Sequence, residues 1–304
     1  MSDSPLAASA YEVLGVAADA SHADLRRAYR QRLREAHPDT GGDAAVFVRV
    51  QRAWALVGTD SARAAYDRGR SPSTIPEPTW AAAEPAARAR DTRPMPRSHG
   101  VPGGWNRHRY LTGIREWAGR GVTLADPYDP ALVRSAPREL RRLLADALAE
   151  ENTARALNDL GMGYTLWHDL AVPRTGLKLD HVVLGPSGLY AVTSDDFGGA
   201  VRVRRGELIG DTVSGSPVAH TVGAGRAVGR SAGVRFGGAI VVLPDADVPE
   251  TITTLGKVKG LPVVAVGASA LTTVLRRGVD GVRDLGGTEI FDIRTRLQQA
   301  IRLV

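Results

Sequence analysis

The sequence predicts a multi-domain chain: an all-α N-terminal region built on an antiparallel helical hairpin, and a C-terminal α/β region with a mixed sheet. Three observations carry this reading. Residues 9–69 place apolar side chains at helical spacing. Residues 70–104 break any period with prolines at 72, 76, 78, 85, 94, 96 and 102, and offer little apolar bulk to bury. Residues 105–304 mix helical stripes with apolar runs of strand length, the core lying at about 137–277.

In the first region Ser21 is placed to cap a helix, with Asp24 three residues on as the acidic member of a box-like start. Leu25, Tyr29, Leu33 and Ala36 then form one stripe, and Arg26, Arg27, Arg30 and Arg34 lie mainly off it. Pro38 disfavours helix at the residue before it, so the helix is expected to stop near His37. Thr40-Gly41-Gly42 supplies a turn, Asp43 caps the next helix, and Phe47, Val50, Trp54 and Val57 mark its buried face. Short helical turns flank the pair, one at Tyr11 and Leu14, the other at Ser61 to Arg68.

Composition narrows the function classes. The chain of 304 residues has no cysteine, which excludes disulfides, zinc ribbons and thiol catalysis. Its start, MSDSPLAASAYEVLG, lacks the basic opening and apolar core of a secretory signal, and AIVVL (239–243) is far too short to span a bilayer. A cytoplasmic protein without membrane attachment is expected. The net charge of +6, largely arginine, permits an acidic partner or nucleic acid, although a solvated basic surface is the simpler reading.

YEVLGV (11–16), a basic helix ending in YRQRLREAHPD (29–39), FVRVQRAWALV (47–57) and RAAYD (63–67) resemble a J domain of the DnaJ co-chaperone family. The resemblance implies a DnaK-type ATPase chaperone as partner, bound through His37, Pro38 and Asp39 and the arginine face of Arg26, Arg27, Arg30 and Arg34. It implies stimulation of that partner's ATP hydrolysis, with no active site or cofactor in the J domain itself. The residue types suit such a role, because an arginine face steers an acidic surface into register, and Pro38 restricts the loop that presents His37 and Asp39. No glycine/phenylalanine-rich segment and no zinc module follow, so the chain is similar to J proteins that join the module to an unrelated domain.

That second domain opens with a helix over Pro137 to Leu160, bearing Leu140, Leu143, Leu144, Ala147, Leu148, Ala154 and Leu157 on its apolar face. Strands are predicted at 164–173, 178–185 and 188–195, with Gly-Pro-Ser-Gly turning the chain between the last two, and 201–210 reads as another strand and a turn. A helix from Pro217 to about Gly229, buried strands at 239–244 and 263–267, and helices at 268–277 and 292–303 complete the order.

ENTARAL (151–157), HDL (168–170), LDHVVLGPSGLYAV (179–192) and PVAH (217–220) resemble the nuclease-related domain, NERD, of the restriction-endonuclease-like fold. In that family an acid near the first helix, an Asp opening the second core strand and Glu-x-Lys ending the third imply metal-dependent phosphodiester hydrolysis. Here Glu151 and Asp180 match. Thr193 stands at the Glu position, Asp195 at the Lys position, and His220 where a Gln is common. Asp195 shares a strand face with Thr193 and can join Asp180; Lys178, two residues before Asp180, offers a migrated cation. Glu151, Asp180 and Asp195 are therefore vestigial catalytic candidates, and Asp180 and Asp195 the ligands of a metal if one binds. Asp195 and Asp196 read equally well as a polar turn before Gly198-Gly199, and Asp180 as a strand-end acid holding backbone amides.

The expectation is a co-chaperone whose NERD-like domain is non-catalytic and targets a client or nucleic acid. The alternative is an active nuclease, requiring Mg2+ or Mn2+, that carries a chaperone-recruiting J domain. GAGRAVG (223–229) lies in a helical stretch and does not read as a dinucleotide loop, and Trp167-His168-Asp169 reads as strand core rather than catalysis.

Overall fold

The structure is a computed structural model that describes residues 4–37, 43–68, 94–119 and 121–304. Two compact units emerge, one of Met1–Glu84 with Gly113–Arg141, the other of Pro85–Thr112 with Arg142–Val304.

The first unit holds four helices, α1 (Ala10–Leu14), α2 (His22–Glu35), α3 (Ala44–Val57) and α4 (Asp60–Asp67). Local chemistry sets their ends. Ser9 and Glu12 form a reciprocal capping box, Ser21 Oγ accepts from the Asp24 amide, and Thr59 Oγ1 accepts from Ala62. Asp43 Oδ1 accepts from the Val46 amide at 3.3 Å, the cap expected of it. Leu14, Leu25, Val50 and Val57 are fully buried at the centre, each worth about 1.5–3 kcal/mol of burial. Tyr29 of α2 stacks on Trp54 of α3 with centroids 4.5 Å apart, fixing the hairpin. A further short helix of this unit, α6 (Pro130–Ser135), sets Arg134 over the ring of Tyr66 at 5.4 Å.

The second unit is a seven-stranded mixed sheet between helices. Its strands are β1 (Arg97–His99), β2 (Thr165–Ala171), β3 (Lys178–Gly185), β4 (Gly188–Ser194), β7 (Gly238–Leu243), β8 (Ile252–Val258) and β9 (Leu261–Gly267), in the order β1-β2-β3-β4-β7-β9-β8. β2-β3-β4 is an antiparallel meander, β4-β7-β9 is parallel, and β8 returns antiparallel on the edge. A separate hairpin joins β5 (Arg202–Arg204) to β6 (Glu207–Ile209). The period of two in β4 divides the core. Leu189 and Ala191 face α8 (Pro217–Ala232) and α10 (Gly287–Ala300); Tyr190 and Val192 face the end of α7 (Arg138–Leu157) and α9 (Leu271–Arg277).

Three departures from the sequence reading have physical causes. The proline-rich segment expected to run as a linker to 104 gives way at Arg97 to β1, whose Arg97 amide donates to Tyr164 O and whose Ser98 meets His168; residues 69–93 lie outside the described residues. Strand β8 was not expected because it is an exposed edge, interrupted by an irregularity between Thr254 and Gly256, and so shows no apolar run. Helix α5 (Gly104–Ala118) was hidden by its density of arginine and histidine, although Tyr110 and Ile114 are fully buried. No helix among the described residues is long and apolar enough to cross a membrane.

Candidate functional site

On α2 the side chains of Arg26, Arg27, Arg30 and Arg34 lie off the buried stripe and reach solvent, while Leu25 beneath them is buried. Arg27 has Asp24 at 3.4 Å, a solvated pair that leaves its charge available. Just past the C-terminal end of this face, His37 is half-buried, its ring set edge-on against Phe47 with centroids 5.1 Å apart. Packing on α3 therefore orients the imidazole. Pro38 and Asp39 lie outside the described residues.

The second site is a polar cavity of about 200 Å³ over the open end of the β3-β4 hairpin. Lys178 opens β3, and its ammonium meets three carboxylates: Glu150 of α7, Asp169 of β2 at 2.6 Å and Asp180 of β3 at 3.0 Å. Asp169 reaches it because residue 169 is left out of the β2-β3 register and takes a φ of 51°, which turns its side chain out of the strand alternation. The Trp105 amide, at the start of α5, donates to the other Asp169 oxygen at 3.0 Å, and Asn106 Nδ2 donates to Glu150 at 2.7 Å.

Burial pulls the Lys178 pKa down, but Asp180, Glu150 and Asp169 outweigh it and hold the ammonium charged, well above the ordinary lysine range. Three acids around one ammonium leave an excess of negative charge. Burial, aided by repulsion from Asp180, raises Glu150 well above its usual value. Two further acids line the cavity. Asp146, one turn before Glu150, is raised to about 6, and Asp195 to about 8, in both cases chiefly by burial. Arg142 sits 3.5 Å from Asp146 and 3.7 Å from Asp195 and offsets both partially.

The candidates separate as follows. Asp180, Asp195, Lys178, Thr193 and His220 all line this cavity. Asp180 Oδ2 also accepts from the Ser194 amide at 2.9 Å, so it ties the two strands together as well as pairing with Lys178. Thr193 hydrogen-bonds Thr221 of α8 at 2.7 Å. Glu151 is directed elsewhere, onto Arg107 Nε at 2.5 Å, and the helix acid that faces Lys178 is Glu150. Asp196 accepts from the Gly198 amide at 2.8 Å, the turn role open to it from the sequence. Sequence reasoning missed Glu150, Asp146 and Asp169. For the two helix acids a signal existed: positions 146 and 150 are one helical turn apart, and 150 falls on the apolar face between Ala147 and Ala154, where a buried acid needs a partner.

A metal ion does not fit this constellation. Among the described residues no three Asp, Glu or His side chains are arranged to hold one, and the point where Glu150, Asp169 and Asp180 converge is filled by the Lys178 ammonium. Behind the cavity runs a buried polar chain, Ser98–His168–His181–Ser194–Thr153, with links of 3.0, 2.7, 3.0 and 2.8 Å. Burial lowers His168 to about 4 and His181 well below the usual range, so both rings are neutral and each donates one proton and accepts another along the chain.

Residues 9–67 match the DnaJ domain family, and residues 145–228 the nuclease-related domain. The chain carries a J domain followed by a nuclease-related domain. Its J domain is 40% identical over 63 residues to the "Tetratricopeptide repeat and J domain-containing co-chaperone DNJ1" of Mycosarcoma maydis, covering 21% of this chain and 11% of that protein. It is 42% identical over 66 residues to "Chaperone protein DnaJ" of Gloeobacter violaceus (21% and 17%), and 38% over 65 to "Chaperone protein DnaJ 1" of Cutibacterium acnes (21% and 17%). The chain thus spans less than a fifth of these curated relatives' length. No solved structure matches it.

Proposed function

We propose that this protein is a co-chaperone: its J domain engages a DnaK-type ATPase chaperone and stimulates ATP hydrolysis, and its nuclease-related domain is a non-catalytic module that selects a client. The observation that carries the first half is the solvent-facing row of Arg26, Arg27, Arg30 and Arg34 leading to a packed His37. Long cationic side chains on a rigid helix attract an acidic partner over a distance and fix its register, and a ring already oriented by Phe47 loses little entropy on docking. Pro38 and Asp39 complete the contact in this reading.

Lys178 supports the second half. A phosphodiesterase of this fold class needs a divalent ion among its carboxylates, and here a fixed internal cation takes that position. Thr193 supplies a neutral hydroxyl committed to Thr221, and Asp195 adds an acid where the chemistry needs a positive charge.

Calorimetric titration of an ATP-loaded DnaK-type chaperone with the full chain tests the proposal. Saturable binding that weakens with salt is expected, and no binding at low salt refutes it. In parallel, plasmid, single-stranded DNA and RNA incubated with the chain and Mn2+ remain intact; cleavage that disappears in Asp180→Ala would install the nuclease instead.

A further inference from the structure

The second unit carries a basic track far from the carboxylate cavity. A groove of about 490 Å³ beside the C-terminal half of α8 is lined by Arg226, Arg230, Arg235 and Lys259, and no carboxylate among the described residues lines it. A neighbouring groove shares Gly233, Val234, Arg235 and Phe236 and carries the positive surface on to Arg296. Its acids are Asp292 and Glu289, the latter taken up by Arg283.

All five cations are exposed, and none has a carboxylate partner among the described residues. That sets them apart from Arg107, Arg141, Arg142 and Lys178 of the same chain, each of which is paired. Arg226 and Arg230 are one helical turn apart, about 6 Å along the axis, where like charges repel. Two guanidinium groups are nevertheless held in place. Arg226 Nη1 donates to Lys259 O at 2.9 Å and Arg296 Nη1 to Gly233 O at 3.2 Å. One N–H of each is anchored to the backbone while the rest of the fork stays open, the arrangement that receives phosphate oxygens. Gly229, Gly233 and Gly260 also line the groove.

We propose that this track binds the phosphate backbone of a nucleic-acid strand without base selectivity. Five cations spread over two adjoining grooves suit an extended polyanion better than a single phosphate group. The track has no stacking platform, since its one aromatic ring, Phe236, is buried. The site is distinct from the nuclease-like cavity: His220 borders that cavity ten residues before Arg230, about 15 Å along α8. It stands independently of the chaperone reading.

The test is fluorescence anisotropy of the full chain with a labelled oligo(dT) of about 20 nucleotides across a salt series, where engaging five phosphates gives a log–log slope of about −3.5. Substituting Arg226, Arg230 and Arg235 with Gln is expected to weaken binding at least tenfold and flatten the slope by about 2. Asp180→Asn is expected to bind as the wild type. Should the triple variant fail to fold by circular dichroism, Lys259→Gln must still flatten the slope by about 0.7. Three outcomes overturn the proposal. One is equal weakening when the exposed Arg49, Arg52 and Arg68 are changed to Gln, which would make the binding a matter of net charge. Another is binding of inorganic polyphosphate but not of the oligonucleotide. The last is loss of binding in Asp180→Asn with retention in the triple variant, which would return the strand to the carboxylate cavity.

Discussion

Replacing Lys178 with Met removes the ammonium and keeps most of the side-chain volume. At an effective dielectric constant of 20, a unit charge pair near 3 Å is worth roughly 5–6 kcal/mol, and Lys178 makes contacts of this kind with Asp169 and Asp180 in addition to Glu150. Desolvation of the ammonium and the mutual repulsion of the acids cancel much of that gross figure. Breaking a buried pair from one side typically costs about 3–5 kcal/mol, because the partner charges are stranded. In a domain of about 150–250 residues each kcal/mol moves the melting temperature by about 2–4 °C, so Lys178→Met is expected to melt roughly 6–20 °C lower at pH 7.5. The deficit should shrink at pH 5, where the stranded acids take up protons, and Glu150→Gln in the same background should recover at least about 1 kcal/mol. Calorimetric melts of the full chain at the two pH values decide the matter. A variant melting within about 2 °C of wild type at pH 7.5 would show that Lys178 is not the cation that holds these carboxylates, and the case against a metal at this point would go with it.

Two further outcomes follow from protonation. Asp195 has a folded-state pKa of about 8, above that of an unfolded aspartate, so the native state holds its proton more tightly. Its contribution is therefore full below the unfolded value near 4 and is lost as pH rises towards 8, and Asp195→Asn should gain stability relative to wild type at pH 8 but not at pH 4 in denaturant titrations. His168 runs the other way. With a folded-state pKa of about 4, its contribution is present above the unfolded value near 6.5 and lost as pH falls through 4, an effect on the order of 3 kcal/mol. His168→Gln should flatten the acid limb of the stability curve between pH 6.5 and 4, and an unchanged limb would mean the ring is charged in the native state.

The helical hairpin was legible because capping side chains and a 3.6-residue stripe occur together, as at Ser21 and Leu25 to Ala36. The β3-β4 hairpin was legible from its Gly-Pro-Ser-Gly turn and alternating core residues, and Asp180 lies at its open end, lining the cavity. The site's remaining acids were harder for specific reasons. Asp169 depends on one irregular residue in β2 that reverses the direction a regular strand would give it. Glu150 and Glu151 are adjacent in sequence but about 100° apart around α7, so choosing between them needs the helix phase rather than the motif. Lys178 reads in the sequence as a migrated cation, but its three partners come from α7, β2 and β3, and only the tertiary fold brings these together. The basic track was invisible for the same reason, since Arg226, Lys259 and Arg296 come from three separate places in the chain.

The most direct test of the central claim is single-turnover ATP hydrolysis by a DnaK-type chaperone, measured with the wild-type chain and with His37→Gln. The account requires wild type to accelerate hydrolysis at least several-fold, and His37→Gln to lose that acceleration while its circular dichroism and melting temperature stay within error of wild type. Equal acceleration by both proteins, or none by either at saturating concentration, would contradict it.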